Sequence, residues 1–381
     1  MRIPADISDL AGMPGPFATA YLDSDRANEN GAKDVELRWQ SLREDLSSAG
    51  ADEDTLAAMD EVAGSHLDLP GSHGQLIVGT QGTVVLDRIL ARPPLRATAR
   101  WSPLPHVMPF FAQGGPQIAH VLVVADRTGA DLSTVGLNDA LAAVPGQKLT
   151  VTGNEQHPLH KVGRDQWNER QFQNRVDNAW AANAHDVSAE VLKQVNNARA
   201  RLVIVAGEER ARALLRQSLP EVLAPAVAVE EVTAGGRAAG ASEEALEEAV
   251  HGVLLRHLWR ERRQLLERLQ QGVGRHDYGV LGLTAVLDAL RRAQVDTLVL
   301  SDDPSSTAMA WVGPEPLQLG ETEDELRAMG VADPQRDHLD AAIVRALAGS
   351  AAQILVTPDA HDYLPDGLGA VLRYTDASTP A

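Results

Sequence analysis

Residues 278–303 read YGVLGLTAVLDALRRAQVDTLVLSDD. Over 280–294 the apolar positions recur every three or four residues, which predicts a helix. The run DTLVLSDD (296–303) that follows is short, apolar and rich in β-formers, which predicts a buried strand. The same order recurs upstream: RLVIVAG (201–207) predicts a strand and EERARALLRQSL (208–219) the helix directly after it. Helices alternating with strands imply sheets flanked by helices, an α/β protein.

Working outward, the last unit begins with a long helix at 242–272, capped by Ser242, with glutamates early, arginines late and Gly272 at its end. It continues with a strand at 308–313, a helix at 337–349 and a strand at 352–358. A middle unit starts with strands on either side of Thr128-Gly129 within 120–135. It contains a long polar helix near 167–197 and a strand-like piece at 224–232, and it ends in the small-residue linker 234–244. The first unit opens on the strand PFATAYLD (16–23), followed by helices at 33–50 and 53–63 and a hairpin turning at Thr80-Gln81-Gly82 within 74–90. The five prolines of 92–111 exclude regular structure there and mark the boundary. At roughly 100–200 residues per domain, 381 residues fit two to three domains, and the pattern places three, near 1–115, 116–238 and 239–381.

Composition narrows the chemistry. There is no cysteine, which excludes disulfides, thiol nucleophiles and Cys-based zinc sites and fits a reducing cytoplasm. MRIPADISDLAG has no apolar h-region and no run reaches a membrane span, so neither a signal peptide nor a membrane protein is expected. A formal charge of −19 repels polyanions at long range and argues against DNA or indiscriminate nucleic-acid binding. Phosphate-loop, Gly-x-Ser-x-Gly and His-Glu-x-x-His motifs are missing, and GVGRHD (272–277) lacks the third glycine and the strand of a dinucleotide loop. His157 and His160, on either side of Pro158, read as surface histidines. Asp52-Glu53-Asp54 and Asp302-Asp303 read as caps, and Arg256, Arg260, Arg262 and Arg263, interleaved with Glu261 and Glu267, as an ion-paired face. No metal or cofactor is expected.

One stretch stands apart. HKVGRDQWNERQFQNRV (160–176) carries Lys161, Arg164, Arg170 and Arg175 against Asp165 and Glu169, together with Gln166, Asn168, Gln171, Gln173 and Asn174. A local positive surplus with many amides, in an otherwise acidic chain, matches the contacts RNA offers: phosphate, sugar hydroxyl and base edge. The same residues also serve as an ordinary polar helix start, and Trp167 reads as packing beneath the loop.

The order of parts resembles the archaeal/eukaryotic class-one release factor and Pelota family. The carriers are YGVLGLTAVLDALRRAQVDTLVLSDD, the closing DGLGAVLRY (366–374), and the middle series of strand pair, loop, long helix, RLVIVAG and following helix. LPHVMPFF (104–111) is similar to the segment that closes the first domain in bacterial relatives. The resemblance implies a three-domain release-factor/Pelota-like architecture, with the first domain decoding-centre-like. Gln166 falls on the glutamine of the family's Gly-Gly-Gln loop, with Arg164 and Asp165 in place of the two glycines. The first domain lacks the Asn-Ile-Lys-Ser stop-codon tetrapeptide.

Both losses resemble the bacterial branch of the Balon hibernation factor. That branch implies a cytoplasmic protein occupying a vacant ribosomal A site without peptide release, with elongation factor Tu as companion. Its contacts would be ribosomal RNA of the A site and peptidyl-transferase centre, through Lys161, Gly163, Arg164, Asp165, Gln166, Trp167, Arg170 and Arg175, with no catalytic residue. The alternative is the related Vms/Ankzf branch, which implies a peptidyl-tRNA hydrolase using Gln166.

Overall fold

Alternation in the first strand decides how the first sheet is covered. A computed structural model describes residues 3–24, 31–65, 72–90, 92–114, 118–126, 128–137, 143–152, 166–237, 241–275, 277–301, 307–357 and 363–376. The chain divides into two units, Met1–Pro116 with Arg262–Ala381, and Gln117–Glu261.

In the first unit, the strand Phe17–Asp23 is central in a four-stranded antiparallel sheet with Gly74–Thr80, Thr83–Leu90 and Thr98–Ser102. Ala18, Ala20 and Leu22 face one way, onto Val35, Trp39, Leu42 and Leu46 of the helix Gly31–Ser48 and Leu56 and Met59 of the helix Glu53–Val62. Asp52 caps the second helix by accepting from the Thr55 N–H at 2.8 Å, as a pre-helical carboxylate should. The hairpin turns through Gln81 and Gly82, at φ 50° and 76°, the left-handed pair that matches strand twist.

The proline-rich stretch is a correction. Thr98–Ser102 is a regular strand, pairing Tyr21 with Thr98, and Met108–Gly114 is a helix. Prolines punctuate this segment without filling it: 95–102 is proline-free, and Pro109 stands in the helix's first turn, where its missing N–H costs nothing.

The same unit holds the sheet Gly279–Leu281, Leu368–Leu372, Val295–Ser301, Gln353–Thr357, in that order, with only the last two parallel. Two expectations shift here. The helix placed at 280–294 is Leu283–Arg291, because Gly282 at φ 84° breaks the chain after a short strand. Gly272 does not end the long helix, which runs Glu243–Arg275. A Cβ at Gly272 would stand 2.7 Å from the Gly279 nitrogen, so glycine lets two backbones touch. A small antiparallel sheet, Leu319–Gly320, Met309–Val312 and Gln335–His338, completes the element list with the helices Ala5–Leu10, Glu323–Ala328 and Leu339–Gly349.

These two sheets share one core. Phe17, Tyr21, Leu76 and Val78, the other face of the first sheet, pack in the same apolar cluster as Val280, Leu287, Leu298, Ile343 and Leu347. Polar bonds cross the same junction. Asp337 accepts from the Leu104 N–H at 2.7 Å, and on the first sheet's own side the Tyr21 hydroxyl donates to the His106 carbonyl at 2.9 Å. Arg345 donates to the carbonyls of Ala11 at 3.0 Å and Gly313 at 2.7 Å, and to that of Pro314.

His106 sits among Arg100, His338 and Asp340, and burial pushes its imidazole down to about 4 despite the Asp340 carboxylate. An imidazole that stays neutral when folded but protonates near pH 6.5 when unfolded makes the unfolded state the better proton acceptor. The unit should therefore lose stability as pH falls from about 6.5 to about 4, by up to ~3 kcal/mol from this group alone. Asp337, whose carboxyl burial holds above the ordinary value, acts with the opposite sign near and above the usual carboxylate range. Denaturant midpoints measured across pH 4–7 should show the acid slope in the wild type and a flatter one in His106→Asn.

The second unit is a five-stranded sheet in the order Ala143–Thr152, Gly129–Leu137, His120–Asp126, Leu202–Gly207, Ala228–Glu231. The first three strands are antiparallel and the last three parallel. Val121, Val123, Val203 and Val205 face the helices Gln166–Ala198 and Glu209–Val222. Leu202, Ile204 and Ala206 face Val250 and Val253 of the long helix. The strand Leu202–Gly207 is covered on both faces, which is why RLVIVAG carries no polar alternation. Among the described residues no helix is long and apolar enough to cross a membrane.

Candidate RNA-contacting site

The stretch singled out in the sequence maps onto the start of the helix Gln166–Ala198. Lys161, Gly163, Arg164 and Asp165 lie outside the described residues, as do His157, His160, Asp302 and Asp303. Gln166, Trp167, Arg170 and Arg175 fall within the helix, and their side chains lie outside the described set.

The helix is anchored far from that end. Val187, Val191 and Val195 are buried against the sheet, with Ala184 the first buried residue among those described. The Ser188 and Ser218 hydroxyls, 2.7 Å apart, tie the helix to its neighbour Glu209–Val222. From Ala184 back to Gln166 is eighteen residues of continuous helix, about 27 Å along its axis. Four N–H groups at such a helix start are free of intrahelical partners and carry the positive end of the dipole. Lys161, Arg164 and Arg170, near it in sequence, add charge of the same sign.

The hairpin between His120–Asp126 and Gly129–Leu137 is fixed by a clasp that the sequence did not reveal. Asp126 accepts from the N–H groups of Thr128 at 2.7 Å and Gly129 at 3.1 Å. The Arg237 guanidinium bonds Asp126 at 2.8 Å and Asp131 at 2.9 Å. Burial alone would raise the Asp126 carboxyl; the Thr128 hydrogen bonds and Arg237 outweigh it and hold it below the usual carboxylate value. The only sequence signal was Asp-Arg-Thr-Gly at a turn, and its cation comes from over a hundred residues away in the small-residue linker.

The arginine row of the long helix is ion-paired only in part by its own glutamates: Arg263 finds Glu267, Arg260 and Glu261 pair with residues of other elements, and Arg256 has no carboxylate partner among the described residues. Arg260 meets Glu230 at 2.6 Å, Arg263 meets Glu267 at 3.6 Å, and Glu261 binds Arg201. Among the described residues no group of three or more His, Asp or Glu side chains is arranged to hold a metal.

Residues 119–275 match the sequence model of bacterial archaeo-eukaryotic release factor family 2. Two sequences from Mycobacterium tuberculosis, both described as uncharacterized proteins, are each 27% identical over 368 residues, covering 96% of this chain and 95% of theirs. Among solved structures, Dom34 of S. cerevisiae, a translation termination-like factor, aligns with a TM-score of 0.38 at 12% identity, over 84% of this chain and 79% of its own. Ribosome-bound archaeal Pelota aligns with a TM-score of 0.38 at 15% identity, over 98% and 96%.

Proposed function

We propose, on the premise that residues 119–275 are a segment of bacterial archaeo-eukaryotic release factor family 2, that this chain is a ribosome-binding translation factor. In this reading it occupies a vacant A site in the cytoplasm and protects idle ribosomes without releasing peptide. The division into 1–115, 116–238 and 239–381 assigns the first part to the decoding centre and the middle part to the peptidyl-transferase centre. Elongation factor Tu is the proposed companion.

One observation carries the absence of catalysis: Arg164-Asp165 precedes Gln166 where the family loop has two glycines. Ester hydrolysis at peptidyl-tRNA builds negative charge on an oxygen that must be met by preorganised donors. Two glycines allow backbone amides to approach that oxygen in dihedrals closed to other residues. Asp165 instead brings a carboxylate toward developing negative charge, and both side chains occupy space that close approach requires. What survives is a locally basic stretch of sequence leading into a helix, suited to ribosomal RNA.

Purified protein should co-sediment with empty 70S ribosomes and leave stalled peptidyl-tRNA intact at the rate of the buffer control. Gln166→Ala should not change that release rate, and charge reversal at Arg164 and Arg170 should weaken co-sedimentation at least tenfold. The retained Gln166 favours a second reading, a peptidyl-tRNA hydrolase of the Vms/Ankzf kind. Peptide release by the wild type that disappears in Gln166→Ala would establish that reading and refute the first.

A further inference from the structure

In the second unit, Leu255 and Trp259 are the only large apolar side chains strongly exposed among the described residues, at 44% and 59%. They stand one turn apart on one face of the helix Glu243–Arg275, so an aromatic plate and an aliphatic edge lie side by side in water. Exposed Arg256, three residues before Trp259, has no carboxylate partner among the described residues, and Arg260 adjoins it on the other side.

The helix is polarised in charge. Residues 243–250 hold four glutamates and no base, whereas 255–260 hold two arginines and no acid. Complementing the helix dipole does not account for this. That effect fades within the last turn, and Arg256 and Arg260 lie nineteen and fifteen residues before Arg275. Arg260 keeps its pair with Glu230, and Arg201 sits nearby on Glu261. The patch is therefore an exposed indole rimmed by guanidinium groups on a chain of charge −19.

We propose that this patch is a second RNA-contacting surface, at which Trp259 stacks on an unpaired base while Arg256 and Arg260 meet the adjoining phosphates. Every base offers a flat face, and stacking on an exposed aromatic is the sequence-tolerant way to hold single-stranded RNA. Arg256 supplies an uncommitted cation. A purely apolar partner would leave its charge desolvated and unpaired, and the rim argues against one. The surface lies on a different helix from the loop preceding Gln166 and stands whether or not that loop contacts the ribosome.

The test is binding of a fluorescently labelled single-stranded oligouridylate and a blunt double-stranded RNA of equal length to the full-length protein at low salt. Trp259→Ala should weaken single-strand binding roughly tenfold or more, with Trp259→Phe recovering most of it. Arg256→Glu should weaken it several-fold and flatten the salt dependence. The duplex should bind less tightly and be indifferent to Trp259. Single-strand affinity unchanged in Trp259→Ala and Arg256→Glu but lost in an Arg164→Glu, Arg170→Glu variant would overturn the proposal. So would equal or tighter binding of a labelled polyglutamate peptide, also lost in Trp259→Ala, because it would assign the patch to an acidic protein. Circular dichroism of each variant should match the wild type, as expected for exposed positions.

Discussion

Alanine at Gly207 is expected to keep the second unit from reaching its native state. Gly207 closes the strand Leu202–Gly207 at φ +103°, a conformation costly for any residue with a Cβ. A Cβ there would also lie 2.0 Å from the Ala125 carbonyl oxygen and 2.7 Å from the Ala125 nitrogen, in the neighbouring strand. Backbone cannot swing aside as a side chain can. Relief would require parting two central strands and breaking the Glu208 N–H bond to the Ala125 carbonyl at 2.8 Å. Strain plus lost pairing puts the cost above ~3 kcal/mol, a large fraction of an ordinary domain's stability. Gly136→Ala is the matched control: its Cβ would meet only the Ala198 Cβ, at 4.0 Å. Urea unfolding should leave Gly136→Ala within about 1 kcal/mol of wild type. Gly207→Ala should lose the second unit's transition or yield insoluble protein.

The other large effect belongs to Arg345. It is 8% exposed, and no carboxylate among the described residues pairs with it; burial pulls the guanidinium below its usual value, and the Glu315 charge only partly opposes this. The cation is held instead by the Ala11, Gly313 and Pro314 carbonyls, on segments far apart in sequence. Arg345→Met keeps much of the volume and strands the buried Ala11 and Gly313 carbonyls, each costing ~1–3 kcal/mol without a donor, while the carbonyl of exposed Pro314 can turn to water. A total near 3–5 kcal/mol is expected, as lowered denaturant resistance of the first unit and new protease cleavage near Ala11. Arg345→Lys should recover less than half, because an ammonium cannot reproduce a planar fork on three acceptors.

How much of this was readable in advance depends on how locally each element is specified. Phe17–Asp23, Leu202–Gly207 and the helix Gln166–Ala198 fell where pattern placed them, because burial on one or both faces writes a period into the sequence. Thr98–Ser102 escapes a reading of the sequence because its strand character comes from pairing with Phe17–Asp23 and not from any alternation in its own Thr-Ala-Arg-Trp-Ser. The strand Ala143–Thr152 was missed for a similar reason: it is an edge strand broken by Pro145 and Gly146. Of the candidate site, the charge surplus and the Arg-Asp-Gln substitution were legible in full. The clasp of Arg237 on Asp126 and Asp131 was not, since nothing in a linear sequence says which distant carboxylates an arginine will meet. Trp259 hid because a tryptophan on a helix reads as core until its neighbours are known.

The fusion of the chain's two ends has a consequence for how the protein is born. Phe17 and Tyr21 leave the exit tunnel long before Ile343 and Leu347, which are among the side chains that cover them. More than three hundred residues must be polymerised before the first sheet can shelter its inner face. The segment Gln117–Glu261 can meanwhile complete its own sheet unaided. Maturation should thus run from the middle outward, and the strands of the first sheet wait longest, as clients of chaperones, for their cover.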